Sequence, residues 1–115
     1  MKKILLFCTI LLFSVTPFAA SKCKQALPTN DEGFCASFKS IAQCHCVEPG
    51  LPAGMCQDVE QIYKRMISVF GSTDKACSYQ KDTDKQTCLD DWKCYREGGQ
   101  DSQGRLCSGV GLKCS

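Results

Sequence analysis

Two stretches of the chain carry apolar residues at helical spacing. The first stripe has members at i, i+4, i+7 and i+8, namely Phe34, Phe38, Ile41 and Ala42. This spacing predicts a helix with one apolar face. We expect the helix to begin near Asn30 or Asp31, whose side-chain oxygens can cap free backbone amides. Pro28, ahead of it, predicts an extended arm that is held by Cys23.

The second stripe is longer and predicts a helix over residues 52–70. Its apolar members follow a 3.6-residue period: Met55, Cys56, Val59, Ile62, Tyr63, Met66, Ile67 and Phe70. Polar residues occupy the opposite face, Pro52 suits the first turn of a helix and Gly71 suits its end. We expect this helix to form the centre of the core.

Clusters of capping residues predict two further helices. Residues 72–74 precede a short helix, and residues 82–84 precede a longer one that extends to about Glu97. From Gly98 onward the chain is rich in glycine. That composition disfavours a helix and predicts a loop or a small irregular hairpin that turns near residues 103–104.

The first 20 residues have the pattern of an export signal. A basic start at Lys2 and Lys3 is followed by an apolar stretch, residues 4–13, and then by small residues at 19–21. The apolar stretch is shorter than the ~20 residues that a membrane-spanning helix needs. We therefore expect a signal peptide, residues 1–20, cleaved within one or two residues of this boundary. The rest, residues 21–115, is predicted to be a single cysteine-rich helical domain without a transmembrane segment.

Ten of the eleven cysteines remain after Cys8 leaves with the signal peptide. They are Cys23, Cys35, Cys44, Cys46, Cys56, Cys77, Cys88, Cys94, Cys107 and Cys114. An even, dense set of cysteines in a short exported chain predicts a disulfide framework, here of five bridges. Cys44 and Cys46 bracket a single residue, so each must reach a different partner; the remaining pairing is left open. The fold class predicted is all-α: a small disulfide-rich bundle of about four helices with an irregular, glycine-rich C-terminal tail.

Charge and the scarcity of histidine narrow the possible chemistry. Loss of Lys2 and Lys3 leaves 12 basic and 12 acidic residues, so the mature chain is formally neutral and we expect no nucleic-acid partner. His45 is the only histidine, which gives no convincing serine–histidine–acid arrangement. Acidic pairs such as Asp90 and Asp91 are interpreted as exposed helix positions, because catalysis needs a desolvated carboxyl group and the pattern indicates no burial.

Residues 44–46 have a rival interpretation, a metal site formed by Cys44, His45 and Cys46. It is disfavoured because the spacing does not match zinc sites and because thiolates are oxidised in an exporting compartment. His45 is accordingly expected to be an ordinary exposed side chain. We predict no catalytic residue, no metal ligand and no cofactor.

These features predict a secreted, monomeric, non-enzymatic binding protein, such as an exported bacterial factor that engages a host or competitor molecule. It would be extracellular, or periplasmic in a diderm bacterium, and its partner, protein or lipid, is left open. One alternative is a carrier of a lipid or small hydrophobic ligand, with a cavity between the helices that carry Phe38, Ile62, Met66 and Trp92. Another is a small disulfide-rich hydrolase, or an enzyme inhibitor that inserts the loop 98–111 into its target.

Overall fold

The computed structural model describes residues 23–48, 50–80 and 83–114, and the predicted signal peptide lies outside them. Its four α-helices are α1 (Phe34–Val47), α2 (Val59–Phe70), α3 (Thr73–Tyr79) and α4 (Lys85–Arg96). Short 3₁₀ turns occur at Ala53–Cys56 and Cys107–Gly109. No β-strand occurs among the described residues, so the predicted all-α fold of about four helices is confirmed. None of the helices in this part of the chain is long and apolar enough to span a bilayer.

Helix α1 begins three residues later than predicted. The Asp31 carboxylate accepts a hydrogen bond from the Gly33 N–H at 2.7 Å, and the Phe34 N–H donates to the Asp31 carbonyl at 3.0 Å. Asp31 therefore stabilises a tight turn ahead of the helix, which is a competing use of an aspartate side chain. Gly33 occupies the N-cap position without a side-chain cap.

The helix predicted over residues 52–70 is divided in two. The 3₁₀ turn Ala53–Cys56 is followed by Asp58, whose side chain accepts a hydrogen bond from the Glu60 N–H at 2.9 Å and starts α2. Gly71 ends α2 as predicted, in the left-handed conformation with a φ of 94°. The apolar period runs through the break, and for that reason the pattern alone did not reveal it.

The two helices predicted from clusters of capping residues agree with the structure. Ser72 caps α3 by accepting a hydrogen bond from the Lys75 N–H at 3.1 Å. Asp84 caps α4 by accepting one from the Thr87 N–H at 3.1 Å. These caps are local, which is why the sequence identified them.

The centre of the core is formed by α1 and α4 rather than by α2, and that prediction was wrong. Phe38 of α1 meets Trp92 of α4 edge-on, with ring centroids 4.9 Å apart, and meets Tyr95 at 5.3 Å. In α2 only Val59 is buried. Helix α4 contacts α1, α3 and the C-terminal segment. Helix α2 also contacts α1 and α3, but Ile62, Tyr63 and Met66 on its inner side are only partly buried.

Five disulfides connect these elements, so the predicted number of bridges and the separate partners of Cys44 and Cys46 are confirmed. The pairs are Cys23–Cys44, Cys35–Cys114, Cys46–Cys56, Cys77–Cys88 and Cys94–Cys107. Cys35–Cys114 joins residues 79 apart in sequence and ties α1 to the end of the chain. The other four span 10 to 21 residues and join neighbouring elements.

Residues 98–114, the C-terminal loop, form the predicted irregular hairpin. Gln100 and Leu106 make one antiparallel bridge, and the Gly104 N–H donates to the Asp101 carbonyl at 3.0 Å in the turn between them. The Cys114 N–H donates to the Tyr95 carbonyl at 3.0 Å, which fixes the end of the loop against α4.

The buried Asp101 carboxylate organises this hairpin. It accepts hydrogen bonds from the Thr29 hydroxyl at 2.7 Å, from the Gln103 and Arg105 N–H groups at 2.9 Å each, and from the Arg105 Nε at 2.8 Å. Burial by itself raises the pKa of Asp101, but these hydrogen bonds outweigh it and lower the pKa to about 2. The carboxylate therefore stays charged and links the N-terminal arm to the loop.

Gly98 marks a close approach between two backbone segments of the loop. Its φ is +74°, and a Cβ added there would lie 2.5 Å from the Lys113 nitrogen. We expect Gly98→Ala to lower the free energy of unfolding by more than the roughly 1–2 kcal/mol that a left-handed residue costs, because the backbone must also move. Gly104→Ala is the matched control, since its φ is +83° with nothing within 4 Å of the added atom. If urea unfolding shows that the two variants lose the same free energy of unfolding, the close backbone packing at Gly98 would be contradicted.

Candidate functional site

A cavity of about 110 Å³ lies between α1, α2 and α4. Its apolar wall includes Phe38, Met66 and Trp92, three of the four residues around which the carrier hypothesis placed a cavity; Ile62 is not part of the lining. The cavity is well below the roughly 300 Å³ at which pockets for drug-sized ligands begin. It therefore lies where that hypothesis expected it but is too small for an acyl chain.

Helical spacing directs the polar members of the lining into the same space. On α1, His45 follows Phe38 by seven residues, which returns it to the same face of the helix after two turns. On α4, Asp91 and Trp92 follow Cys88 by three and four residues. A histidine and a carboxylic acid that are far apart in sequence thus share one cavity.

The structure corrects the expectation that Asp90 and Asp91 are exposed, because each retains only 8% of its surface. The C-terminal loop covers Asp90, whose carboxylate accepts hydrogen bonds from the Ser102 hydroxyl at 2.7 Å, the Ser102 N–H at 3.1 Å and the Gln86 amide at 3.2 Å. Asp90 therefore anchors the loop to α4. Both of its carboxylate oxygens are engaged in these hydrogen bonds.

Asp91 has a different environment. Burial raises its pKa, and the negative charges of Asp90 and Asp84 raise it further, to about 7. The three ion pairs found within the described ranges join Lys85 to Asp74, Arg96 to Glu60 and Arg105 to Asp101, and none includes Asp91. Asp91 is thus a buried acid that exchanges its proton near neutral pH, a property common at functional sites.

His45 is half-buried at the cavity wall, which corrects the expectation of an exposed side chain. The rival metal site at Cys44, His45 and Cys46 is not supported, because both sulfurs are in disulfides. Atoms of Cys23, His45 and Glu48 do come within 4.8 Å of one another, but the Cys23 sulfur is bonded to Cys44. A disulfide sulfur lacks the thiolate charge that binds metals.

The C-terminal loop exposes three large apolar side chains, which we call the apolar loop surface. Leu106, Val110 and Leu112 retain 47%, 65% and 68% of their surface. Two disulfides, through Cys107 and Cys114, hold the backbone beneath them. This surface is therefore carried by a fixed backbone. The glycine-rich composition of this segment did not predict such a surface.

Two features of the described residues suit an interaction: the small cavity with the ionisable Asp91, and the apolar loop surface. The cavity can hold a proton or a small ligand at Asp91, whereas the apolar loop surface suits a large partner. No protein family, curated protein or solved structure that was compared matches this chain. The proposals below therefore rest on these two features.

Proposed function

We propose that the protein is exported and acts, without catalysis, by binding another protein through the apolar loop surface. Export is supported by the five disulfides, which persist in oxidising compartments, and by the signal-like pattern of residues 1–20. The extracellular space, or the periplasm of a diderm bacterium, is the compartment proposed. An exported bacterial factor that engages a host or competitor protein fits this description.

The observation that carries the proposal is the exposure of Leu106, Val110 and Leu112. The backbone that carries them is held by the disulfides of Cys107 and Cys114. Leu106 lies over the backbone of Gly111: a Cβ added to Gly111 would be 3.3 Å from the Cδ2 atom of Leu106. The Ser108 N–H donates to the Thr29 carbonyl across the base of the loop. Apolar groups held in this way pay little ordering entropy when a partner covers them, so they favour tight association.

The alternatives have less support. The cavity that the carrier hypothesis placed at Phe38, Met66 and Trp92 has only about 110 Å³, too little for an acyl chain. The larger clefts, of about 320 to 390 Å³, are lined mainly by polar and charged side chains. A hydrolase that uses Asp90 and Asp91 is disfavoured because Asp90 is held by Ser102 and Gln86. Enzyme inhibition by the loop is one form of the proposed binding, and inhibition assays with purified extracellular proteases would detect it.

The test is affinity capture with a matched pair of variants. The immobilised oxidised protein is incubated with the secreted and surface proteins of cells from its environment, and bound proteins are quantified against protein concentration. We expect one partner that saturates and whose affinity falls about tenfold or more in the Val110→Ser/Leu112→Ser variant, since buried apolar anchors dominate interfaces. Val69→Ser is the control, because Val69 is 69% exposed and lies on α2, outside the C-terminal loop.

Two results of the affinity-capture experiment would contradict the proposal. In the first, no protein is captured in a saturable manner by the wild type. In the second, the captured protein is lost equally from the Val69→Ser control and from the loop variant, which would indicate general adhesion through exposed apolar groups.

A further inference from the structure

We propose that the cavity between α1, α2 and α4 binds a small organic cation, an ammonium ion that carries a few carbon atoms. Asp91 is its counter-ion, and Phe38 and Trp92 form its aromatic wall. This site is separate from the apolar loop surface, and the inference does not depend on the proposed protein partner.

The first argument is the unbalanced negative charge at Asp91. Asp90 of α4 and Asp84, the residue that caps α4, both act on it as like charges. From the C-terminal loop, Arg105 lines an adjoining cleft that also includes Asp91, but it forms its ion pair with Asp101 at 2.8 Å. A buried carboxylate without a partner cation is costly, so it is neutralised either by a proton or by a cation that enters the cavity.

Among the described residues that line the cavity, His45 is the one whose side chain can carry a positive charge. Helix α2 contributes Met66, the N-terminal arm contributes Ala26 and the end of α3 contributes Gln80, all uncharged. His45 on α1 is the one titratable group that faces Asp91 across the cavity in the described part of the chain. Neutral imidazole leaves the site favourable to a cation, whereas protonated imidazole opposes one.

The second argument is the shape and chemistry of the wall. Trp92 is fixed by Phe38 at a centroid distance of 4.9 Å and by Tyr63 at 5.4 Å, so the ring is rigid. Aromatic faces attract alkylammonium ions, and tryptophan does so most strongly. At ~30 Å³ for each water, a 110 Å³ cavity holds about four waters. That space fits an ammonium group with three methyl groups or a short alkyl chain.

A proton and a cation compete for the same carboxylate, which gives the proposal a pH signature. Because the pKa of Asp91 is about 7, the carboxylate is mostly protonated at pH 6 and mostly ionised at pH 8. The affinity for the cation is therefore expected to rise about tenfold between these pH values. His45 lines the same cavity, so a His45→Gln variant is used to separate its contribution from that of Asp91.

The experiment uses Trp92 as its reporter, because it is the only tryptophan in the chain and lines the cavity. The oxidised protein is titrated with tetramethylammonium chloride and with n-propylammonium chloride at constant ionic strength, at pH 6, 7 and 8. We expect saturable changes in fluorescence that tighten with pH. The neutral analogue n-propanol is expected to bind about tenfold more weakly or worse, since it lacks the charge.

Three variants complete the test. Asp91→Asn is expected to weaken cation binding about tenfold or more at pH 8 and to remove its pH dependence. His45→Gln is expected to retain the pH dependence of binding. Asp74→Asn removes the same charge at a side chain that is 64% exposed and is expected to bind like the wild type. Thermal melts verify that each variant is folded. If Asp91→Asn does not fold, the pH series and n-propanol decide the question with the wild type alone.

Three results would overturn the inference. One is the absence of saturable binding by either ammonium ion. Another is equal affinity for n-propylammonium and n-propanol. The third is an Asp91→Asn variant that is folded and binds with wild-type affinity and pH dependence.

Discussion

Replacing Cys35 and Cys114 together by serine is expected to lower the free energy of unfolding by about 4–5 kcal/mol, more than the loss of any other bridge. This disulfide closes a loop of 79 residues, and the entropy that a cross-link removes from the unfolded chain grows with the logarithm of loop length. Ordinary domains have a net stability of only about 5–15 kcal/mol. One bridge therefore accounts for a large share of what keeps this chain folded.

The matched control is the Cys77→Ser/Cys88→Ser variant, whose bridge spans 11 residues and is expected to contribute about 3 kcal/mol. Urea unfolding, followed by Trp92 fluorescence and near-ultraviolet circular dichroism, measures both. Complete reduction of all five bridges is expected to leave the chain largely unfolded. A reduced protein with an unchanged melting temperature, or a greater loss from the short bridge than from the long one, would contradict this account.

Asp91→Asn is expected to stabilise the protein by up to about 4 kcal/mol at pH 8. Burial and the charges of Asp90 and Asp84 raise the pKa of Asp91 from its ordinary value of 3.8 to about 7. The folded state thus holds the proton more tightly than the unfolded state does. Protonated Asp91 therefore adds its full contribution to the free energy of unfolding below about pH 4. That contribution declines as the pH rises to about 7 and is absent above pH 7. Asparagine has a shape similar to that of aspartate but no charge, so the Asp91→Asn variant avoids the cost of burying an ionised carboxylate at pH 8.

The measurement is the free energy of unfolding as a function of pH for the wild type and the variant. Their difference is expected to grow between pH 4 and 7 and then to stay constant. The exposed Asp74→Asn variant should follow the wild type throughout. An Asp91→Asn protein that is less stable than the wild type at pH 8, or whose stability follows the same pH profile, would show that Asp91 is not a destabilising buried charge.

The two stretches that deviate from the sequence prediction share one cause. Asp31 and Asp58 are both good capping residues, yet Asp31 closes a turn while Asp58 starts a helix inside a continuous apolar period. Whether an aspartate caps a helix depends on the path of the chain on either side of it. The sequence did not specify that path, and it also left open the nearby disulfide pairs Cys35–Cys114 and Cys46–Cys56.

The candidate site was predicted only in its apolar half. Phe38, Met66 and Trp92 belong to helical stripes, so their meeting in the interior follows from periodicity. Asp91 stands in a pair of acids that has the pattern of a solvated helix face. Its burial depends on segments distant in sequence, including α1, the N-terminal arm and the C-terminal loop. No local pattern contains that information.

The sequence by itself determined the helical class, most of the helix boundaries, the number of bridges and the irregular C-terminal loop. These follow from interactions within a few residues, such as caps, apolar periodicity and glycine composition. Only the tertiary structure decided the pairing of the cysteines, the central position of α4 and the desolvation of Asp91. Each of these depends on which distant segments come together, and the cost of burying a charge is fixed by that assembled environment.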